Sequence, residues 1–75
     1  MIVKLENLKS ELKKYTELYK GKKIKGKYRD EEFVILNIGY QYVNNTETAC
    51  IIAHAMSQEV YPFPIAFINH YYDII

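Results

Sequence analysis

The sequence predicts an α+β chain, with an N-terminal α-helix followed by a small, strongly bent five-stranded antiparallel β-barrel or sheet. Three observations carry that expectation. Leucines and tyrosines recur at steps of three and four over the first twenty residues, apolar and cationic residues alternate from Lys23 to Arg29, and Glu32 to Val43 (EFVILNIGYQYV) is a twelve-residue β-branched and aromatic run. The first pattern lines one face of a helix, and the second lines one face of a strand. The third suits a pleated, half-buried surface. An open antiparallel sheet with the helix packed on one face is the alternative arrangement of the same elements.

The helix is expected within residues 1–21. Leu5, Leu8, Leu12, Tyr15 and Tyr19 form its seam, which Leu18 widens, and Lys9, Ser10, Glu11, Lys13, Lys14 and Glu17 form its solvated face. Lys20 complements the dipole of the last turn, and Gly21 takes the C′ position. Such a seam packs on a sheet or on another helix, so Leu5, Leu8 and Leu12 are candidate interface residues. Residues 22–75 are assigned to the sheet, and residues 1–75 to a single domain near the lower size at which one core suffices.

In the first strand Ile24, Gly26 and Tyr28 alternate with Lys23, Lys25, Lys27 and Arg29, which places a cationic face toward solvent. Asp30-Glu31-Glu32 makes a polar turn into the long central strand. Gly39 marks a bend or bulge there, where a missing Cβ lets the strand curl or another backbone approach. Asn44-Asn45-Thr46 is a turn signal. Thr48–Met56 forms the third strand; its alanines also suit a helix, but turn signals on both sides favour β. Ser57-Gln58 is a tight connection. Pro62 and Pro64 each remove a backbone donor, so Val60–Phe67 is an edge or bulged strand, and the Tyr61–Pro62 and Phe63–Pro64 bonds are places for a cis peptide. Ile68–Tyr71 is a short turn before a last strand, whose Ile74-Ile75 end is expected to be buried or paired.

That element order, with a turn at 68–71 before a short final strand, resembles the Sm-like and Src-homology-type barrels. The resemblance covers topology over most of the chain and no specific residues, since no arginine-glycine pair precedes the last strand. It implies a fold and assigns no functional residue.

Charge is divided along the chain. Residues 1–29 hold all ten Lys and Arg with three acids, a net of +7, whereas residues 30–75 hold six acids and no Lys or Arg, a net of −6. A chain so divided attracts its own halves, pairs with a copy of itself, or presents a basic face to an anion. One cysteine, Cys50, excludes an internal disulfide. Met1–Glu6 becomes charged too early for a signal-peptide core, and no apolar run approaches the roughly 20 residues of a membrane helix. A soluble, cytoplasmic chain without a membrane partner is expected.

The strongest functional candidate is the basic run, with six cations within residues 20–29. Lys22, Lys23, Lys25, Lys27 and Arg29 are expected to hold phosphates, with Tyr28, Tyr40 and Tyr42 stacking on bases. The plainer reading is a solvated strand face kept charged against aggregation. Tyr61, Phe63, Phe67, Tyr71 and Tyr72 form a second candidate surface, because tyrosine brings large area with few rotatable bonds. Cys50, His54 and His70 lack the count and spacing of a zinc site, so a buried thiol and a hydrogen-bonded imidazole are expected instead. No catalytic residue, metal or cofactor is expected. The function expected is a non-catalytic, homo-oligomeric binding module that captures a nucleotide-type anion or a host defence protein. The abundance of Lys, Ile, Asn and Tyr suggests an AT-rich phage or mobile-element genome. A protein-interaction module using the C-terminal aromatic surface, and a general RNA- or DNA-binding barrel, are the alternatives.

Overall fold

The computed structural model describes residues 1–43 and 47–75, and the turn expected at 44–46 lies outside them. The elements in order are β1 (Ile2–Lys4), a single 3-10 turn (Leu5–Asn7), α1 (Leu8–Tyr19), β2 (Lys23–Gly26), β3 (Glu32–Tyr42), β4 (Thr48–Met56), β5 (Val60–Pro64), α2 (Ile65–Tyr71) and β6 (Tyr72–Ile74). The strands form one curled antiparallel sheet in the order β1-β4-β3-β2-β6, with β5 also on β4. Among the described residues no ladder joins β5 to β6, so the curl stops at a half-barrel, and α2 links those two strands in sequence. An α+β fold with a strongly bent sheet is what the sequence predicts.

The expected helix is shorter than residues 1–21. Its seam works as predicted from Leu8 onward: Leu8 and Leu12 lie half-buried against the core, while Tyr15 and Tyr19 are buried. Leu18, one step off that stripe, is exposed. The helix closes with Lys20 N donating to Thr16 O at 3.0 Å, and Gly21 follows at φ 79° in the left-handed region. A side chain there costs roughly 1–2 kcal/mol, which is why glycine suits this C′ position. Residues 2–4 are a strand instead of helix, because Ile2, Val3 and Lys4 pair with Cys50, Ala49 and Thr48. That partner is far away in sequence, and no local pattern announces it.

β1 brings the strand count among the described residues to six and not five, and two further differences concern the end of the chain. β5 ends at Pro64 instead of running to Phe67, since Ile65 opens a helix of seven residues. Pro64, at φ −55°, is already set for a helix start, and Ile65 and Ile68, three apart, turn onto the core. The expected turn at Ile68–Tyr71 is therefore the second half of α2. No peptide bond among the described residues is cis. Ile74 pairs with Ile24 through the backbone, and Ile75 N donates to Lys23 O at 2.9 Å. The end is thus paired, as one of the two expected outcomes, while the two residues stay 51% and 60% exposed.

β3 and β4 make the longest ladder, and its irregularity falls at Leu36, not at Gly39. Ile35 pairs with Ala55 and Asn37 with His54, leaving Leu36 as the extra residue. The insertion shifts the alternation by one, so Phe33 and Ile35 point inward before it and Ile38 after it. Gly39 is instead approached by a side chain and not by another backbone: a Cβ there would lie 3.2 Å from Cε1 of the His54 ring. β4 alternates strictly, with Ala49, Ile51, Ala53 and Ala55 buried. The concave face, filled by Tyr15 and Tyr19 of α1 and by Ile65 and Ile68 of α2, is the core. Ile24, Ile35, Ile51, Ile65 and Ile68 are fully buried, and each contributes roughly 1.5–3 kcal/mol.

Candidate functional site

The loop between β2 and β3 is tied down by backbone bonds. Gly26 N donates to Glu31 O at 2.9 Å, Glu31 N to Arg29 O at 3.0 Å, and Lys27 N to Tyr71 O at 2.8 Å. The chain folds back so closely that a Cβ on Gly26 would lie 2.6 Å from the Arg29 carbonyl oxygen. This small, fixed loop carries Tyr28, Arg29 and Glu31 to the open seam of the half-barrel. Beside it stand Phe67 and Tyr71 of α2 and Tyr72 of β6, the strand paired with β2. Together with Gly26 these residues line a hollow of about 320 Å³.

The Tyr72 hydroxyl donates to Glu31 Oε1 at 2.6 Å and joins the strand to the loop. Burial pushes the Tyr72 hydroxyl up to about 12, helped by that bond and by the Glu31 charge, while the Arg29 guanidinium works in the opposite sense. The phenol therefore stays protonated at neutral pH and goes on donating to Glu31. Among the described residues the ion pair in this region is Lys27 Nζ to Asp73 Oδ1 at 3.8 Å, and Arg29 has no ion-pair partner. Tyr28 is 77% exposed and meets Tyr71 edge-on at 6.3 Å.

A second hollow of about 420 Å³ adjoins the first, beyond Phe67 and Tyr72. Its far walls are Tyr61 and Phe63 of β5 with Ser57 and Gln58 of the β4–β5 turn. Aromatic rings run without a break along the seam. Phe33 meets Phe63 edge-on at 5.2 Å, Phe63 stacks on Phe67 at 5.4 Å, and Phe67 tilts onto Tyr71 at 4.8 Å. Tyr61 stacks on Phe63 at 6.2 Å. Ring contacts of this kind add about 0.5–1.5 kcal/mol beyond their buried area, and they hold the exposed members in place.

The structure divides the residues expected to hold an anion. Arg29 and Tyr28 face the cleft, Lys27 is held by Asp73, and Lys22, Lys23 and Lys25 line no part of either hollow. Lys25 sits in register with Glu32 on one side and Asp73 on the other, so the cationic face of β2 is flanked by carboxylates of the neighbouring strands. Tyr40 and Tyr42 pair with each other at 5.3 Å near the far end of β3. Neither tyrosine lines either of the two hollows.

The expected interface residues divide as well. Tyr61, Phe63, Phe67, Tyr71 and Tyr72 converge on the cleft, whereas Leu8 and Leu12 turn to the core and Leu5, half-buried, lies in the turn before α1. Cys50 and His54 share the outer face of β4 with Ile52 between them, and His70 sits on α2 against Tyr71 at 4.6 Å. His54 Nδ1 is 2.9 Å from Asn37 Oδ1, as expected for a hydrogen-bonded imidazole, while the Cys50 thiol is only half-buried. Among the described residues no three His, Cys, Asp or Glu side chains are placed to hold a metal ion. No helix among them is long and apolar enough to cross a membrane. Glu31 is the site residue that sequence reasoning missed. In the run Asp30-Glu31-Glu32 nothing local distinguishes the carboxylate that meets Tyr72 from its neighbours.

Comparison with protein-family models, with curated proteins and with solved structures gives no match for this chain.

Proposed function

We propose that this chain is a non-catalytic binding module that captures a nucleotide-type anion in the aromatic cleft at the open seam. The observation that carries the reading is Arg29, a guanidinium without an ion-pair partner among the described residues, set into a hollow walled by Tyr28, Phe67, Tyr71 and Tyr72. Hollows of roughly 300–1,000 Å³, mostly apolar with a few fixed polar groups, are typical of small-ligand sites. A flat ring stacks on the aromatic walls, its phosphate takes the guanidinium, and the Glu31 carboxylate accepts from an amino group of the ring.

Calorimetric titration with AMP and GMP tests this. A hydrogen bond to a charged group contributes about 1.5–3 kcal/mol, so Arg29→Gln should weaken binding by about ten- to a hundredfold. Reversing the outer lysines in Lys23→Glu/Lys25→Glu should change affinity less than about threefold. The opposite ranking would refute the cleft and return the site to the basic strand. Affinity that falls steeply with salt would point instead to a nucleic-acid backbone, because a single phosphate contact gives a slope of about −1 or shallower. One observation favours a protein partner as the second reading. Tyr61, Phe67 and Tyr71 are all exposed beside Arg29, and tyrosine and arginine dominate protein-binding hot spots. On that reading Tyr61→Ala and Tyr71→Ala abolish a pull-down from lysate while neither AMP nor GMP binds.

A further inference from the structure

We infer that the cleft has two compartments and takes a dinucleotide, with one ring in each compartment and the phosphodiester at Arg29 between them. The inference rests on the nucleotide reading above and specifies its ligand. Its basis is the way the two hollows, of about 320 and 420 Å³, meet: they share Arg29, Glu31, Phe67 and Tyr72 and are otherwise walled by different residues. Tyr28 and Tyr71 belong to the first alone, and Tyr61 and Phe63 to the second alone.

Each compartment thus has its own pair of rings in mutual contact, at 6.3 Å for Tyr28 and Tyr71 and 6.2 Å for Tyr61 and Phe63. Each also has polar groups at hand, Glu31 in both and Ser57 and Gln58 at the far end of the second. A ligand with a single ring covers one pair and leaves the other in water.

Charge selects the same class. Arg29 is the one Lys or Arg common to the walls of both hollows, and it stands where they join. The neighbouring Lys27 lines neither hollow, its ammonium 3.8 Å from Asp73 Oδ1, and Glu31 Oε1 accepts from the Tyr72 hydroxyl. One guanidinium matches the single negative charge of a phosphodiester. It is too little for a triphosphate, whose remaining charge would meet Glu31.

Titration calorimetry of the intact chain with the dinucleoside monophosphate ApA, with AMP and with ATP tests the inference. ApA should bind at least about tenfold more tightly than AMP, and ATP no better than AMP. Tyr28→Ala and Tyr61→Ala alter exposed side chains, so both variants should keep the far-ultraviolet circular dichroism of the parent, and each should lower ApA affinity by about tenfold. Equal affinity for AMP and ApA, still dependent on Arg29, would overturn the two-compartment inference and leave the single-nucleotide reading intact. Loss of ApA binding in only one of the two tyrosine variants would overturn it as well. If neither AMP nor ApA binds the parent chain, both readings fall.

Discussion

Replacing Gly26 with alanine should damage ligand binding more than stability. The added Cβ would lie 2.6 Å from the Arg29 carbonyl oxygen, where ordinary contacts begin at 3.4 Å, so the loop must open by about 0.8 Å. The obstacle is backbone, and it is pinned by the bonds from Gly26 N to Glu31 O at 2.9 Å and from Glu31 N to Arg29 O at 3.0 Å. Overpacking of this kind costs about 1–3 kcal/mol, and losing one of those bonds adds about 0.5–1.5 kcal/mol. A loss near 2–3 kcal/mol is expected, which a 75-residue chain with about 4–11 kcal/mol of stability survives. Because Arg29 and Glu31 move with the loop, affinity for AMP or ApA should fall about tenfold or more under conditions where the variant is fully folded. Gly21→Ala is the matched control. It is strained by its φ of 79°, with no atom within 4 Å of the new Cβ, and should lose about 1–2 kcal/mol without changing affinity. Urea unfolding followed by circular dichroism gives the stabilities, and calorimetry gives the affinities. An unchanged midpoint and affinity for Gly26→Ala would refute the close approach. Equal affinity losses in the two variants would show that general destabilisation, not the loop, governs binding.

Two further outcomes concern the seam and the core. Tyr72→Phe keeps the ring but removes the 2.6 Å bond to Glu31, and should cost about 1 kcal/mol at neutral pH. The folded state holds the Tyr72 proton up to about 12 against an ordinary 10.0, so its contribution is fully present below pH 10 and is lost as pH rises toward 12. The phenylalanine variant should therefore lose less stability across that window, and parallel urea midpoints for the two proteins would contradict the shift. Ile51→Ala empties a fully buried position at the centre of β4 and should cost about 2–5 kcal/mol. A loss under about 1 kcal/mol in the same urea assay would place Ile51 outside the core.

What the sequence determined by itself is what depends on neighbours within a few residues. The three-four seam from Leu8 to Tyr19 is a helix face, the alternation about Ile24 is a strand with lysines outward, and Gly21 ends the helix with positive φ. In each case the period of the backbone forces side chains to one side, and the chain records that period directly. Tertiary structure decided what depends on distant partners. Residues 2–4 are a strand only because β4 offers them an edge, and Leu36 bulges to keep Ile35 and Ile38 both inward along a curling ladder. α2 is seven residues, too short for its period to stand out after two prolines. The cleft is the furthest from legible. Arg29, Glu31, Phe67 and Tyr72 meet because β6 returns to pair with β2, which brings the end of the chain beside the first hairpin. The basic run was visible as charge, but only that return shows that Lys25 lies between Glu32 and Asp73 while Arg29 faces the aromatic rings.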